Sequence, residues 1–179
     1  MTGYWQLFLC RLGVGVGEAG GVAPSYALIA DYYPSERRGR ALAMAAIRET
    51  WEETGLLLAL PSPVRPAVGP WRDFVAQGAL ADLAALDVVA RAITPPTVGK
   101  RFDTWFLLAD AERLMSLERQ ADCGELEEIA WVDFDEAQAL PLPTVTRMML
   151  KEAVARMDDQ GRPKPFLRFR QGAMRPEHL

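Results

Sequence analysis

The stretch Ala45-Ala-Ile-Arg-Glu-Thr-Trp-Glu-Glu-Thr-Gly-Leu56 decides how this chain is read. At helical spacing Glu49, Glu52 and Glu53 stand at i, i+3 and i+4, so three carboxylates share one face. Ala46, Ile47, Thr50 and Trp51 supply apolar bulk on the remaining faces. Gly55 stands where a left-handed residue would close the helix. Like charges crowded in this way repel, and a solvated helix gains nothing from lining them up. A hard divalent cation such as Mg²⁺ or Mn²⁺ does gain, because it prefers carboxylate oxygens and keeps positions open for water and phosphate. Arg48 is four residues before Glu52 and predicts an ion pair that orients that carboxylate. The plain alternative is an exposed, salt-bridged helix.

Composition narrows the chemistry. The chain has 179 residues, a formal net charge of −4 and a single histidine, His178. Mild acidity argues against a nucleic-acid binder, for which a basic face is expected. A lone imidazole beside the last residue is poorly placed for a Ser-His-Asp or Cys-His hydrolase or a histidine zinc site. Two cysteines, Cys10 and Cys123, allow at most one bridge and suit a reduced setting. Carboxylates and a hard metal are left to carry any catalysis.

The stretch resembles the Nudix box, Gly-x5-Glu-x7-Arg-Glu-U-x-Glu-Glu-x-Gly-U, where U is an aliphatic or similar residue. Arg48, Glu49, Thr50, Glu52, Glu53, Gly55 and Leu56 fill its second half. Counting back from Arg48, the pattern's Glu falls on Arg40 and its Gly on Pro34. The resemblance implies that Glu49, Glu52 and Glu53 hold Mg²⁺ or Mn²⁺, with Glu52, Glu53 and Arg48 as the catalytic group. The substrate would be a small-molecule diphosphate. For the general base, Glu118, Glu125, Glu127 and Glu128 remain alternatives.

Downstream, the pattern predicts a short strand at Leu57–Leu60, a proline-rich loop from Pro61 to Pro70 and a short helix at 71–77. Leu86–Thr94 and Arg101–Leu108 read as strands of a hairpin, with a turn near Val98-Gly99. Ile129–Asp133 reads as another strand, Asp133 as the start of a short helix, and Val145–Met157 as an amphipathic helix. Residues 161–179 read as a basic, proline-broken tail that is poorly ordered. The hairpin, a Glu-x5-Trp-Val strand ending at Trp131-Val132 and a closing helix resemble the later half of a Nudix domain, and Arg91-Ala-Ile-Thr-Pro with Arg101-Phe-Asp-Thr-x-Phe resembles elements of coenzyme A diphosphatase-type members. That resemblance implies coenzyme A or its acyl esters as substrate, with Arg91 and Arg101 binding the extra phosphate.

Residues 4–33 read differently. They are apolar and rich in small residues, interrupted by Arg11 and Glu18 and followed by Arg37, Arg38 and Arg40. Their length suits a bilayer span, and the trailing arginines would place its far end in the cytoplasm. With Asp31–Ala41, the segment resembles the fourth transmembrane helix and following loop of major facilitator transporters. A helix kinked near Pro24 is expected, with membrane association through 4–33. Gly15-Val-Gly-Glu-Ala-Gly20 also fits Gly-x-Gly-x-x-Gly, but Asp31 comes too early for the acid that a dinucleotide fold requires.

The expected architecture is therefore α/β: an incomplete Nudix-type α/β/α sandwich with an added N-terminal apolar helix. Its parts would be a transporter-like segment (1–42), a Nudix-like domain lacking its front (43–160) and the tail (161–179). The expected function is metal-dependent hydrolysis of nucleoside diphosphate-linked substrates, in the cytoplasm or on the cytoplasmic side of a membrane. A catalytically inactive, membrane-associated remnant or binding domain is the alternative.

Overall fold

The computed structural model describes residues 7–12, 35–95, 103–118, 130–170 and 173–178. Helices and mixed sheets make it an α/β structure, divided into two compact units. One unit comprises Met1–Val16, Asp87–Ala109 and Trp131–Leu179. The other comprises Gly17–Leu86 and Asp110–Ala130.

The unit that carries the acidic stretch is built on α1 (Ser35–Thr54). Ala46, Ile47, Thr50, Trp51 and Thr54 are buried, a stripe at i, i+1, i+4, i+5 and i+8. Gly55 ends the helix with φ 74°, and its N–H bonds the Trp51 carbonyl at 2.8 Å. Thr54 helps to close that end. Its hydroxyl donates to the Thr50 carbonyl at 2.5 Å and accepts from the Leu56 N–H at 3.2 Å. The expected cap is present.

Beyond it, β2 (Ala59–Pro61) pairs antiparallel with β3 (Ala79–Ala81), and α2 (Arg72–Ala76) lies between them in sequence. Leu56, Leu57 and Leu58 are buried, as is Phe74. Phe74 receives Trp51 and Trp71 edge-on, with ring centroids 5.6 and 5.2 Å away. The segment after residue 110 is tied back to the helix exit, since the Met115 N–H donates to the Leu57 carbonyl at 2.9 Å. Buried Asp82 takes an ion pair from Arg113, whose Nε donates to its Oδ2 at 3.1 Å.

The other unit holds a five-stranded sheet. Its strands are β1 (Leu7–Leu12), β4 (Leu86–Ile93), β5 (Asp103–Asp110), β6 (Pro165–Arg170) and β7 (Ala173–His178), in spatial order β1-β5-β4-β6-β7. β4 and β6 run parallel with Ala92 opposite Leu167, and β6 and β7 are antiparallel. α3 (Phe134–Ala139) precedes α4 (Thr144–Asp158). Met149 and Ala153 of α4 pack with Val89, Ala90, Ala92, Phe106 and Leu167 in one buried cluster.

Three expectations change. The apolar helix predicted over 4–33 is a strand where it is described, at 7–12, beside β5; the rest of that segment lies outside the described residues. A short apolar run has no periodicity to separate helix from strand, and the glycines from Gly13 onward weaken a helix that would continue through them. Among the described residues no helix is long and apolar enough to cross a membrane.

The expected tail forms the β6–β7 hairpin instead, because buried Leu167 alternates with the partly buried Phe166 and Arg168 at the strand period. Residues 130–133 are not a strand. Asp133 there accepts from the Glu136 N–H at 2.7 Å and caps α3, which sets its backbone for a helix start. The expected turn near Val98-Gly99 lies outside the described residues.

Candidate functional site: the acidic face of helix α1

The burial stripe of α1 leaves the complementary positions open. Arg48, Glu49 and Glu52 are partly exposed and Glu53 is exposed, on the side away from Ile47 and Trp51. Helical spacing and the cap at Gly55 thus bring four predicted site residues together. Arg48 lies between two of them, with Nε 3.2 Å from Glu52 Oε1 and Nη2 3.8 Å from Glu49 Oε1. The nearer contact lacks hydrogen-bond geometry, so the arginine acts on Glu52 chiefly through charge.

Burial pushes the Glu49 carboxyl above its ordinary value. Arg48 opposes that shift, while the charges of Glu53 and Glu52 add to it. Glu49 therefore senses both neighbouring carboxylates as well as Arg48, with burial the largest influence on it.

A hard cation fits this donor set in kind: oxygen ligands only, mutually repelling, on a helix face fixed by packing from behind. The side-chain positions do not converge on one point, since among the described residues no three acidic, histidine or cysteine groups stand ready to hold a metal ion.

Arg40 stands where the sequence expectation would have put a further carboxylate. Eight residues before Arg48, it stands about 12 Å away along the helix axis. That exceeds the Debye length of about 8 Å at physiological salt, so the charge of Arg40 is largely screened at the acidic face.

The remaining predicted residues are not in this group. Arg101 lies outside the described residues, as do Glu125, Glu127 and Glu128. Glu118 is exposed in the same unit as α1, and its N–H donates to the Ser116 hydroxyl at 3.0 Å. Arg91 belongs to the other unit. Its Nε and Nη2 donate to the two oxygens of Asp103 at 2.7 and 2.5 Å. Its guanidinium also lies over the rings of Trp105, at 5.1 Å, and Phe166, at 4.7 Å. Sequence reasoning passed over Trp105 and Phe166. The available signal was the alternation Asp103, Trp105 within one strand, which sets both on one side of it.

Comparison with family models, characterised proteins and solved structures finds no match.

A pH-dependent stability follows from Glu49. With its folded-state pKa raised, the contribution of this group is fully present when the carboxyl is protonated and is lost as pH rises through the folded value. Glu49→Gln, which cannot ionise, is expected to melt higher than the native chain at neutral pH. The two should melt alike below the ordinary carboxylate range. Thermal unfolding in both conditions tests this, and a native chain that melts higher than Glu49→Gln at neutral pH without added metal would refute it.

Proposed function

We propose that this chain is a metal-dependent hydrolase of nucleoside diphosphate-linked substrates of the Nudix type, built as an α/β/α sandwich. The observation that carries the reading is the α1 face: Arg48 between Glu49 and Glu52, with Glu53 beside them, on a helix closed by Gly55 at φ 74°. Glu49, Glu52 and Glu53 hold Mg²⁺ or Mn²⁺ in this reading. When bound, the ion neutralises charge developing on phosphoryl oxygens and acidifies a water molecule. The chain's own part is to present the carboxylates from a rigid element and to keep Glu52 oriented through Arg48. Among substrates, coenzyme A and its acyl esters are favoured by the Thr94-Pro95 and Arg101-Phe102-Asp103-Thr104 elements.

A second reading is a binding domain without catalysis. Its support is that Arg48 already engages Glu52 and that Arg40 stands where a further carboxylate is expected.

Calorimetric titration of Mn²⁺ into the full chain, followed by hydrolysis assays on ADP-ribose, a dinucleotide polyphosphate and coenzyme A with Mg²⁺, separates the two. Saturable Mn²⁺ binding with turnover of at least one substrate supports the hydrolase. Binding without turnover favours the second reading, and a folded chain that binds no Mn²⁺ removes the metal site. ADP-ribose turnover with coenzyme A inert would remove the coenzyme A preference alone.

A further inference from the structure

From the end of β2 the chain reads Pro61-Ser-Pro-Val-Arg-Pro-Ala-Val-Gly-Pro70, up to the 3-10 turn at Gly69–Trp71. Residues 62–68 form no helix, strand, turn or bend, so the backbone runs extended between those two elements. Proline sets that course. Pro63 and Pro66 hold their own φ near about −65° and push the residues before them, Ser62 and Arg65, toward extended backbone. Val68 ends the run at φ −126° and ψ 162°, and Gly69 turns it at φ 67°. At the other end the Ser62 N–H donates to the Gly78 carbonyl at 2.8 Å. Among the described residues, 63–68 make no backbone hydrogen bond. An extended run without internal bonds, rich in proline, is a polyproline II ridge.

At about three residues per turn, such a ridge sorts its side chains into three rows. Pro63 and Pro66 share one row, Arg65 and Val68 a second, and Val64 and Ala67 the third. The first two rows are exposed, Val68 at 90%. The third touches the protein: Ala67 is partly buried, and Val64 Cγ2 lies 4.0 Å from where a Cβ on Gly78 would stand. Among the described residues Arg65 has no ion pair, whereas nearby Arg72 holds Asp73 at 2.8 Å. Two prolines, an apolar side chain and an uncommitted guanidinium therefore face outward from a backbone that is already stiff. Binding such a segment costs little further ordering. Its complement is a groove whose aromatic rings accept the prolines and whose rim carries a carboxylate for the guanidinium.

We propose that residues 63–68 are a ligand for a protein module with an aromatic-lined groove and an acidic rim. The groove takes Pro63 and Pro66, and the rim carboxylate takes Arg65. This surface lies within the unit that carries α1 and stands apart from the hydrolase reading, so either can fail without the other. The neighbouring leucines, Leu60 and Leu80, stand opposite each other across β2 and β3 and are also exposed. They give the competing outcome a definite form, association with a second copy of this chain.

The test is calorimetric titration of the full chain with a panel of SH3 domains, chosen for an aromatic groove with an acidic rim, in the presence and absence of a poly-L-proline peptide. Saturable binding of at least one domain is expected, displaced by the peptide. Pro63→Ala combined with Pro66→Ala should weaken it by roughly tenfold or more. Arg65→Glu should weaken it by roughly tenfold at low salt and by less at high salt. Leu80→Ser should leave it unchanged. All four substituted side chains are exposed, and circular dichroism reports that the variants are folded. The proposal is overturned if no domain binds, if the peptide does not compete, if either the double proline variant or Arg65→Glu binds as the native chain does, or if Leu80→Ser loses binding in parallel. Dimerisation of the native chain that Leu80→Ser abolishes, with no SH3 domain bound, overturns it in favour of the second copy.

Discussion

Glu53→Gln is expected to lower metal-dependent diphosphate hydrolysis by at least about a hundredfold in kcat while leaving the melting temperature nearly unchanged. The two halves of that expectation have separate causes. Glu53 is exposed, and the residues that hold α1 in place are Ile47, Thr50, Trp51 and Thr54 on its other side. Surface substitutions of this kind alter stability by about half a kcal/mol or less. The carboxylate charge, in contrast, is what the proposed ion binds, and an amide oxygen is a weaker ligand for a hard cation.

Glu52→Gln makes the informative comparison. It removes a donor but also releases Arg48, whose Nε sits 3.2 Å from Glu52. Its loss of activity should therefore come with a change in metal affinity that depends on salt, since the freed guanidinium remains near Glu49. Steady-state kinetics with Mg²⁺ varied, on whichever substrate the screen identifies, reads both effects. Turnover of Glu53→Gln at the native rate would sink the site assignment.

Some of this was legible in the sequence because local rules decide it. Glycine after a helical run of fixed spacing predicts a left-handed cap, and Gly55 supplies one. The strands at 86–93 and 103–110 carry β-branched and aromatic residues in period-two order, and both appear within two residues of their predicted bounds. The elements that were misread are those whose state depends on distant partners. Leu7–Leu12 carries no helical or strand period of its own, and its neighbour β5 lies almost a hundred residues away in sequence. β6 looks like a polar tail until Arg168 is paired with Glu177 and Leu167 is set against Ala92 of β4.

The acidic face was readable for the same local reason as the cap: one helix supplies all its members. The stacking of Arg91 on Trp105 and Phe166 needed three neighbouring strands, and no spacing rule within one segment reveals that. Asp82 and Arg113 form a part-buried ion pair between segments 31 residues apart, and nothing in either segment alone announces it.

Arg156 yields the largest expected effect on stability. It is 1% exposed in α4, and its guanidinium does three things. Nη1 donates to the Arg162 carbonyl at 2.9 Å, and Nη2 donates to the Pro163 carbonyl at 3.1 Å and to Glu152 Oε1 at 3.3 Å. The two carbonyls belong to the turn that delivers the chain from α4 into β6, so one side chain fixes where that strand begins. Glu152 has a second partner in Arg162, whose Nε and Nη2 donate to it at 3.3 and 3.2 Å.

Arg156→Ala would therefore leave the carboxylate partly compensated but two carbonyls and a cavity unfilled. Removing one member of a buried pair costs about 3–5 kcal/mol, and the surviving Arg162 contact places this case near 3. For a chain of this size that is a fall in melting temperature of about 10 °C. Arg156→Lys restores the charge but not the planar reach to both carbonyls, so it should recover less than half. Hydrogen exchange should show amides of β6 and β7 losing protection before those of α1, because β6 is held on one side by this anchored turn and on the other by β4. Uniform loss of protection in both units would mean that Arg156 stabilises the chain globally and does not set the start of β6.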